Sequence, residues 1–200
     1  MISTRPNLLF STKRFERIRI ESNRTFDPND PKWMHFAIAT SYFWRKHDAM
    51  VGTSATPTKT IDYIEYIINM DLQAKFDAKK ADFTTKGIPA NQIMAFHATR
   101  PDNVDNIIES NLDYRKFPMK HGRVHGEGNY FSEYPAFSLK YGSGLILFEI
   151  LPGREYSGSS IQIPSVFQCK KVMANTEGYG EQLVITDNAQ FFPRYVIHLK

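Results

Sequence analysis

Between Gly126 and Tyr141 the chain gathers residue types that can hold a flat ligand. Gly126 and Gly128, two residues apart, let the backbone take positive φ or approach a bound group closely. Tyr130 and Phe131 follow at once and read as a short buried strand. Pro135 then opens a helix where its missing N–H does no harm. Gly142 stands past the last turn, where a left-handed cap is wanted. Within that helix Ser138 and Tyr141, three apart, share a face. A hydroxyl and an aromatic ring thus project beside a glycine-lined strand that carries another tyrosine, which makes a slot for a flat, polar-edged ring. The same residues also read as a turn, a strand and a core helix whose aromatics only pack, because aromatics at helical spacing are usually core.

The elements that must position these residues belong to a chain of ordinary soluble composition. Its 200 residues, 42% hydrophobic and 23% charged, suit one domain with one proper core. No apolar run reaches the length of a membrane span, and the longest, Leu145 to Leu151, is strand-sized. The N-terminus lacks the apolar centre of a signal peptide, so an intracellular location, cytoplasm or nucleus, is expected. The single cysteine, Cys169, allows no internal disulfide and suits a reducing compartment. Net charge is +4, with lysine and arginine scattered among acids rather than concentrated. The densest basic clusters run from Lys13 to Arg19 and from Arg115 to Arg123. The second, a loop beside the proposed slot, can attract a phosphate-bearing ligand or RNA, or simply be solvated. His121 and His125 are four apart but lie in a glycine-broken loop, so no metal pair is expected.

Along the chain, Phe15 to Ile20 alternates like a half-buried strand. Asp30 caps a helix with Pro31 in its first position, running to about Met50 with Trp33, Phe36, Ala37, Thr40, Phe43 and Trp44 as its apolar stripe. Ile61 to Ile68 is β-branched and aromatic, hence a strand. Asn69 caps the next helix, which carries Leu72, Phe76, Lys79 and Phe83 to about Lys86. Ile93 to Phe96 forms a short strand ending at His97, and a helix from Asp102 or Asn103 to Ser110 follows, with Asn111 as a left-handed cap. Residues 145–151, 182–186 and 195–199 supply later strands, the last two separated by a turn at Pro193. The result is a mixed α+β domain with most strands in its C-terminal half.

In this order and spacing, three blocks resemble the catalytic domain of the poly(ADP-ribose) polymerase family, the diphtheria-toxin-type ADP-ribosyltransferases. They are Phe96 to Arg100; Gly126 to Ser132 with Ser138 and Tyr141; and Gln182 to Thr186 with Gln190, Pro193 and Tyr195 to Ile197. The resemblance implies the ADP-ribosyltransferase fold, with mixed, mostly antiparallel β-sheets forming an NAD cleft flanked by helices. It implies NAD⁺ as substrate and no metal. By resemblance, His97 hydrogen-bonds the adenosine ribose with help from Thr99. The Ala98 main chain and the Ser138 hydroxyl hold the nicotinamide carboxamide, and Tyr130 and Tyr141 sandwich the ring. Aromatic faces attract a cationic pyridinium, so the assignment is chemically sensible. Residues 61–200 are the expected NAD-binding core. Residues 1–60 are expected to pack on it as a strand and a helix, too little for a regulatory helical subdomain. A stand-alone catalytic domain, excised from a longer protein, is the expected organisation.

Two positions depart from the family pattern. Ala98 stands where glycine usually follows the histidine, which is tolerable if the backbone angles there are ordinary. The usual glutamate position falls on Gln182, with Glu181 one residue earlier, and neighbours on a strand face opposite sides unless a bulge intervenes. The ungapped register favours Gln182 as the third member of a catalytic set with His97 and Tyr130. An amide keeps a hydrogen bond to the ribose but lacks the charge and basicity that polymer elongation needs. The expected activity is therefore transfer of a single ADP-ribose to a protein acceptor or a nucleic-acid end, with no membrane partner. The alternative is a degenerate domain that binds NAD⁺, ADP-ribose or a protein.

Overall fold

The computed structural model describes residues 11–23, 27, 29–47, 59–116, 124–172 and 181–200. Residues 117–123 of the second basic loop, with His121, and most of the 51–60 loop lie outside them, as does part of the 162–180 segment.

Nine strands form one sheet: β1 (Phe15–Glu21), β2 (Ile61–Asn69), β3 (Ile93–Thr99), β4 (Asn129–Ser132), β5 (Gly144–Ile150), β6 (Glu155–Tyr156), β7 (Cys169–Val172), β8 (Gln182–Ile185) and β9 (Phe191–Leu199). Their spatial order is β1-β2-β9-β5-β3-β4-β8-β7-β6. All neighbours are antiparallel except the short β6–β7 pair. Among the described residues, four α-helices accompany the sheet: α1 (Pro31–His47), α2 (Met70–Thr85), α3 (Val104–Ser110) and α4 (Pro135–Ser138).

The unbroken apolar run of β5 is explained by burial on both faces. Leu145 and Leu147 join Ala39 and Phe43 of α1 in one cluster, while Ile146, Phe148 and Ile150 join Val104, Ile107 and Ile108 of α3 in another. The Phe131, Phe148 and Phe191 rings meet edge-on or tilted at centroid distances of 5.2, 4.8 and 5.9 Å. Truncating Phe148 to alanine at this centre costs about 3–5 kcal/mol. The same parity governs β3: Phe96 and Ala98 pack towards α1, whereas Ala95 belongs to the α3 side.

Both predicted caps form. Asp30 Oδ1 accepts the Lys32 N–H at 2.9 Å, and Asn69 Oδ1 accepts that of Leu72 at 3.1 Å. Asn69 does more than its sequence signal implied, for its Nδ2 also donates to the carbonyls of Ile108 and Glu109 at the end of α3. Asn111 takes the positive φ expected of it (73°), but its ψ of 163° is extended, so it is not the left-handed cap predicted.

Several local readings need correction. The fully buried line of α1 is His35, Ala39 and Phe43, while Trp33, Phe36, Ala37, Thr40 and Trp44 are only partly covered. Residue 193 does not turn the chain: Pro193 lies inside β9. The pairing passes from Leu147–Tyr195 to Phe148–Pro193, so Arg194 is the extra residue of a bulge. A proline is tolerated at such a break because the ladder is already interrupted. The bulge aims the buried Arg194 guanidinium at Glu149 (2.6 Å) and Gln73 (2.6 Å). The strand that carries His97 continues to Thr99, and the two-residue β6 has no counterpart in the sequence reading. The basic cluster from Lys13 to Arg19 is neutralised by Glu16, Asp71, Glu65 and Glu21.

Candidate functional site

The strands β3 and β4 touch at one residue pair, Phe96 with Ser132, and beyond it they part. A cleft of about 280 Å³ opens there, bordered by His97, Ala98 and Thr99 from β3, Tyr130 from β4, Ser138 and Tyr141 from α4 and its following turn, and Gln182 from β8. The fold thus brings His97, Ala98, Thr99, Tyr130, Ser138, Tyr141 and Gln182 together.

Each is held by an identifiable contact. His97 Nδ1 lies 2.9 Å from the carbonyl oxygen of Tyr130, which can only accept, so this nitrogen carries the proton and Nε2 keeps its lone pair. Burial depresses the His97 pKa, and the hydrogen bond to Tyr130 only partly opposes it. The imidazole is therefore a neutral acceptor at physiological pH. Thr99 Oγ1 accepts the Asn103 side-chain N–H at 3.1 Å. Ser138, buried, donates its hydroxyl to the Phe96 carbonyl at 3.3 Å.

That last bond also orients Ala98. Along an antiparallel strand, alternate residues direct their N–H and C=O to alternate edges. Phe96 directs its carbonyl to the α4 side, so the peptide groups of Ala98, two residues on, point to that edge, where the cleft lies. The φ angle of Ala98 is ordinary, which removes the conformational need for glycine at this position.

The Tyr130 hydroxyl donates to the Gly126 carbonyl at 2.6 Å and accepts the His125 N–H at 3.2 Å. Gly126 and Gly128 hold the positive φ expected of them, 110° and 148°. Two expectations fail here. The α4 helix ends at Ser138, so Tyr141 lies past it, on a turn closed by its N–H to the Ser138 carbonyl at 3.0 Å. Its ring stays on the cleft, edge-on to Phe137 with centroids 5.6 Å apart and 59% exposed. Gly142 is not left-handed; a side chain there would meet the Thr99 carbonyl oxygen at 2.1 Å, so glycine is required by close approach instead.

Glu181 and Gln182 separate cleanly. The Glu181 carboxylate is 2.7 Å from Lys171 Nζ, whereas Gln182 borders the cleft. The β4–β8 and β7–β8 pairings are regular through Gln182, with no bulge to turn Glu181 inward. Among the described residues, no aspartate or glutamate borders the cleft, and Arg100 is the charged side chain that does. Arg100, Asn103, Leu112, Tyr114 and Phe137 also line it and were given no site role from the sequence. Of these, Arg100 had a local signal as the last residue of the His97 block, and Asn103 follows closely on it. Among the described residues no cluster of histidine, cysteine, aspartate and glutamate could hold a metal ion, and no helix is long and apolar enough to cross a membrane. Burial pushes the Cys169 thiol up to about 12, so it is no nucleophile.

The chain is similar to the protein mono-ADP-ribosyltransferase PARP11 of Mus musculus, 39% identical over 83 residues covering 40% of this chain and 25% of that protein. It is equally similar, at 39% over 83 residues, to the protein of the same name from Homo sapiens, of which 24% is covered. A putative poly [ADP-ribose] polymerase-like protein, 100L, of Invertebrate iridescent virus 6 is 32% identical over 81 residues, 37% of this chain and 45% of that one. The chain thus matches about a quarter of the mammalian relatives. The profile of the poly(ADP-ribose) polymerase catalytic domain matches residues 36–145, a span that contains His97, Ala98, Thr99, Tyr130, Ser138 and Tyr141. With more than half of its residues inside that match, the chain belongs to the poly(ADP-ribose) polymerase catalytic-domain family, whose members use NAD⁺ as the donor of ADP-ribose.

Proposed function

We propose that this chain is a mono-ADP-ribosyltransferase domain, transferring one ADP-ribose from NAD⁺ to a protein side chain and releasing nicotinamide. In this reading the chain acts as one catalytic domain, with β1 and α1 packed on an NAD-binding core that starts at β2. The observation that carries it is the convergence on one cleft of His97, the Ala98 main chain, Tyr130, Ser138 and Tyr141.

The nicotinamide ring would lie against the faces of Tyr130 and Tyr141, its carboxamide meeting the N–H and C=O of Ala98 and the hydroxyl of Ser138. The lone pair of neutral His97 would accept a ribose hydroxyl, with Thr99 beside it. Breaking the bond between nicotinamide and ribose sends its electron pair to the pyridinium nitrogen and leaves an oxocarbenium-like sugar, as in glycoside hydrolysis. Gln182 can hold a ribose hydroxyl by its amide but supplies neither negative charge nor a base. An acidic acceptor side chain supplies both the missing charge and the attacking oxygen. A hydroxyl acceptor, as polymer growth requires, finds no carboxylate base among the described residues of the cleft.

Incubation with labelled NAD⁺ tests this. Label on the protein itself or on added acidic protein acceptors, with stoichiometric nicotinamide, is the expected result; NAD⁺ binding without any label would count against it. A second reading rests on Gln182: a domain that binds NAD⁺ or ADP-ribose without turnover. Transfer seen only after Gln182→Glu, and never in the natural chain, would establish that reading instead.

A further inference from the structure

Lys170 is a buried lysine, 6% exposed, on β7. Its Nζ donates to two main-chain carbonyls, of His125 at 3.2 Å and of Ser160 at 2.9 Å. An ammonium group seldom leaves water without such compensation, and here it ties two loops together. One loop leads into β4; the other joins β6 to β7. The loops are in backbone contact, since a side chain at Gly126 would meet the Ile161 carbonyl oxygen at 2.2 Å.

The first loop ends on the cleft. The Tyr130 hydroxyl accepts from the N–H of His125, the residue whose carbonyl Lys170 holds, and donates to the carbonyl of Gly126. At the other end of the same tyrosine, its carbonyl receives the His97 imidazole N–H. A continuous path therefore runs from Lys170 through the loop and the phenol to the residue beside the histidine. The depressed pKa of His125, lowered by burial and then by the nearby Lys170 charge, agrees with this proximity.

We propose that Lys170 is a positioning residue for the donor site: by pinning the 125–126 loop, it fixes the Tyr130 ring in the orientation that the nicotinamide ring requires. Lys170 touches no reacting atom. The inference rests on the donor-site reading above, in which Tyr130 faces nicotinamide.

A double-mutant cycle with Lys170→Met and Tyr130→Phe tests it, because the second change keeps the aromatic face and removes only the hydroxyl that joins it to the loop. Losing a hydrogen bond to a charged group is worth about tenfold in affinity. Each single variant should therefore weaken nicotinamide binding about tenfold by calorimetry and raise KM for NAD⁺ by a similar factor, and Lys170→Met should leave kcat within about twofold. The double variant should be no worse than either single one. Additive losses, or unchanged nicotinamide affinity in folded Lys170→Met protein, would overturn the proposal. If Lys170→Met does not fold, Lys170→Gln replaces it under the same criteria, with a smaller loss expected because its amide keeps a donor. If the natural protein binds no nicotinamide, the donor-site reading has failed, and NMR of the Tyr130 ring in ligand-free protein still tests Lys170. Slow ring flipping that becomes fast in the variant supports the role, and identical ring behaviour refutes it.

Discussion

Glu181 and Gln182 are neighbours in sequence with opposite surroundings: the carboxylate of Glu181 pairs with Lys171 at 2.7 Å, and the amide of Gln182 borders the cleft. Strand alternation produces the split, and the regular pairing of β8 with both neighbours maintains it. The Glu181 carboxylate is thereby committed to Lys171.

Gln182→Glu should accelerate the release of nicotinamide from NAD⁺ by tenfold to hundredfold, because a preorganised charge beside a developing cation is worth on the order of 3 kcal/mol. Glu181→Gln should leave that rate within about twofold, and its loss of a half-exposed ion pair should cost less than about 1 kcal/mol of stability. Measuring labelled nicotinamide release from both variants checks the assignment; acceleration by the first and a hundredfold loss in the second cannot both be accommodated.

Tyr141 presents most of its ring to solvent, so it contributes little to the core. Tyr141→Ala should change stability by no more than about 0.5 kcal/mol. Removing one face of an aromatic sandwich should nonetheless weaken nicotinamide binding about tenfold. Calorimetry with nicotinamide beside a denaturant titration separates the two effects, and equal affinity in the variant would remove Tyr141 from the site.

His97 is held in its neutral form, with a pKa below that of an exposed histidine. In the unfolded chain it titrates at about 6.5. Below that pH the unfolded state binds a proton that the folded state refuses, so stability falls as pH drops from 6.5 towards the depressed folded value and is level again beneath it. The slope from this residue cannot exceed ~1.4 kcal/mol per pH unit, the value for one whole proton. Denaturant titrations from pH 8 to pH 5 should show His97→Asn lacking that component. Parallel curves for the two proteins would mean that the imidazole titrates alike in the folded and unfolded states.

Gly142 leaves no space for a side chain, its would-be Cβ lying 2.1 Å from the Thr99 carbonyl oxygen and 2.8 Å from its Cα. Gly142→Ala must push apart the turn that carries Tyr141 and the end of β3. A cost of about 2 kcal/mol is expected, lowering Tm by about 4–8 °C, together with weaker NAD⁺ binding. Thermal melts and calorimetry measure the pair, and a stable variant with unaltered binding would show that this approach is not tight in solution.

Much of the fold was readable residue by residue, because the relevant physics is local. Caps at Asp30 and Asn69, the positive φ at Gly126, Gly128 and Asn111, and the two-sided apolar run of β5 follow from neighbours a few positions away. The stretch from Gly126 to Tyr141 was likewise legible as short-range spacing, whereas His97, Ala98, Thr99 and Gln182 were named through the family resemblance of their blocks. What lay beyond the sequence depends on partners brought together from far along the chain. Pro193 reads as a turn until β5 is placed beside it and the bulge turns Arg194 towards Glu149. The glycine at 142 is explained by Thr99, the buried lysine at 170 by His125, and the cleft itself by β3 and β4 parting after one pair. A period of two or 3.6 residues determines which face a side chain takes; only the packed chain determines what stands opposite it.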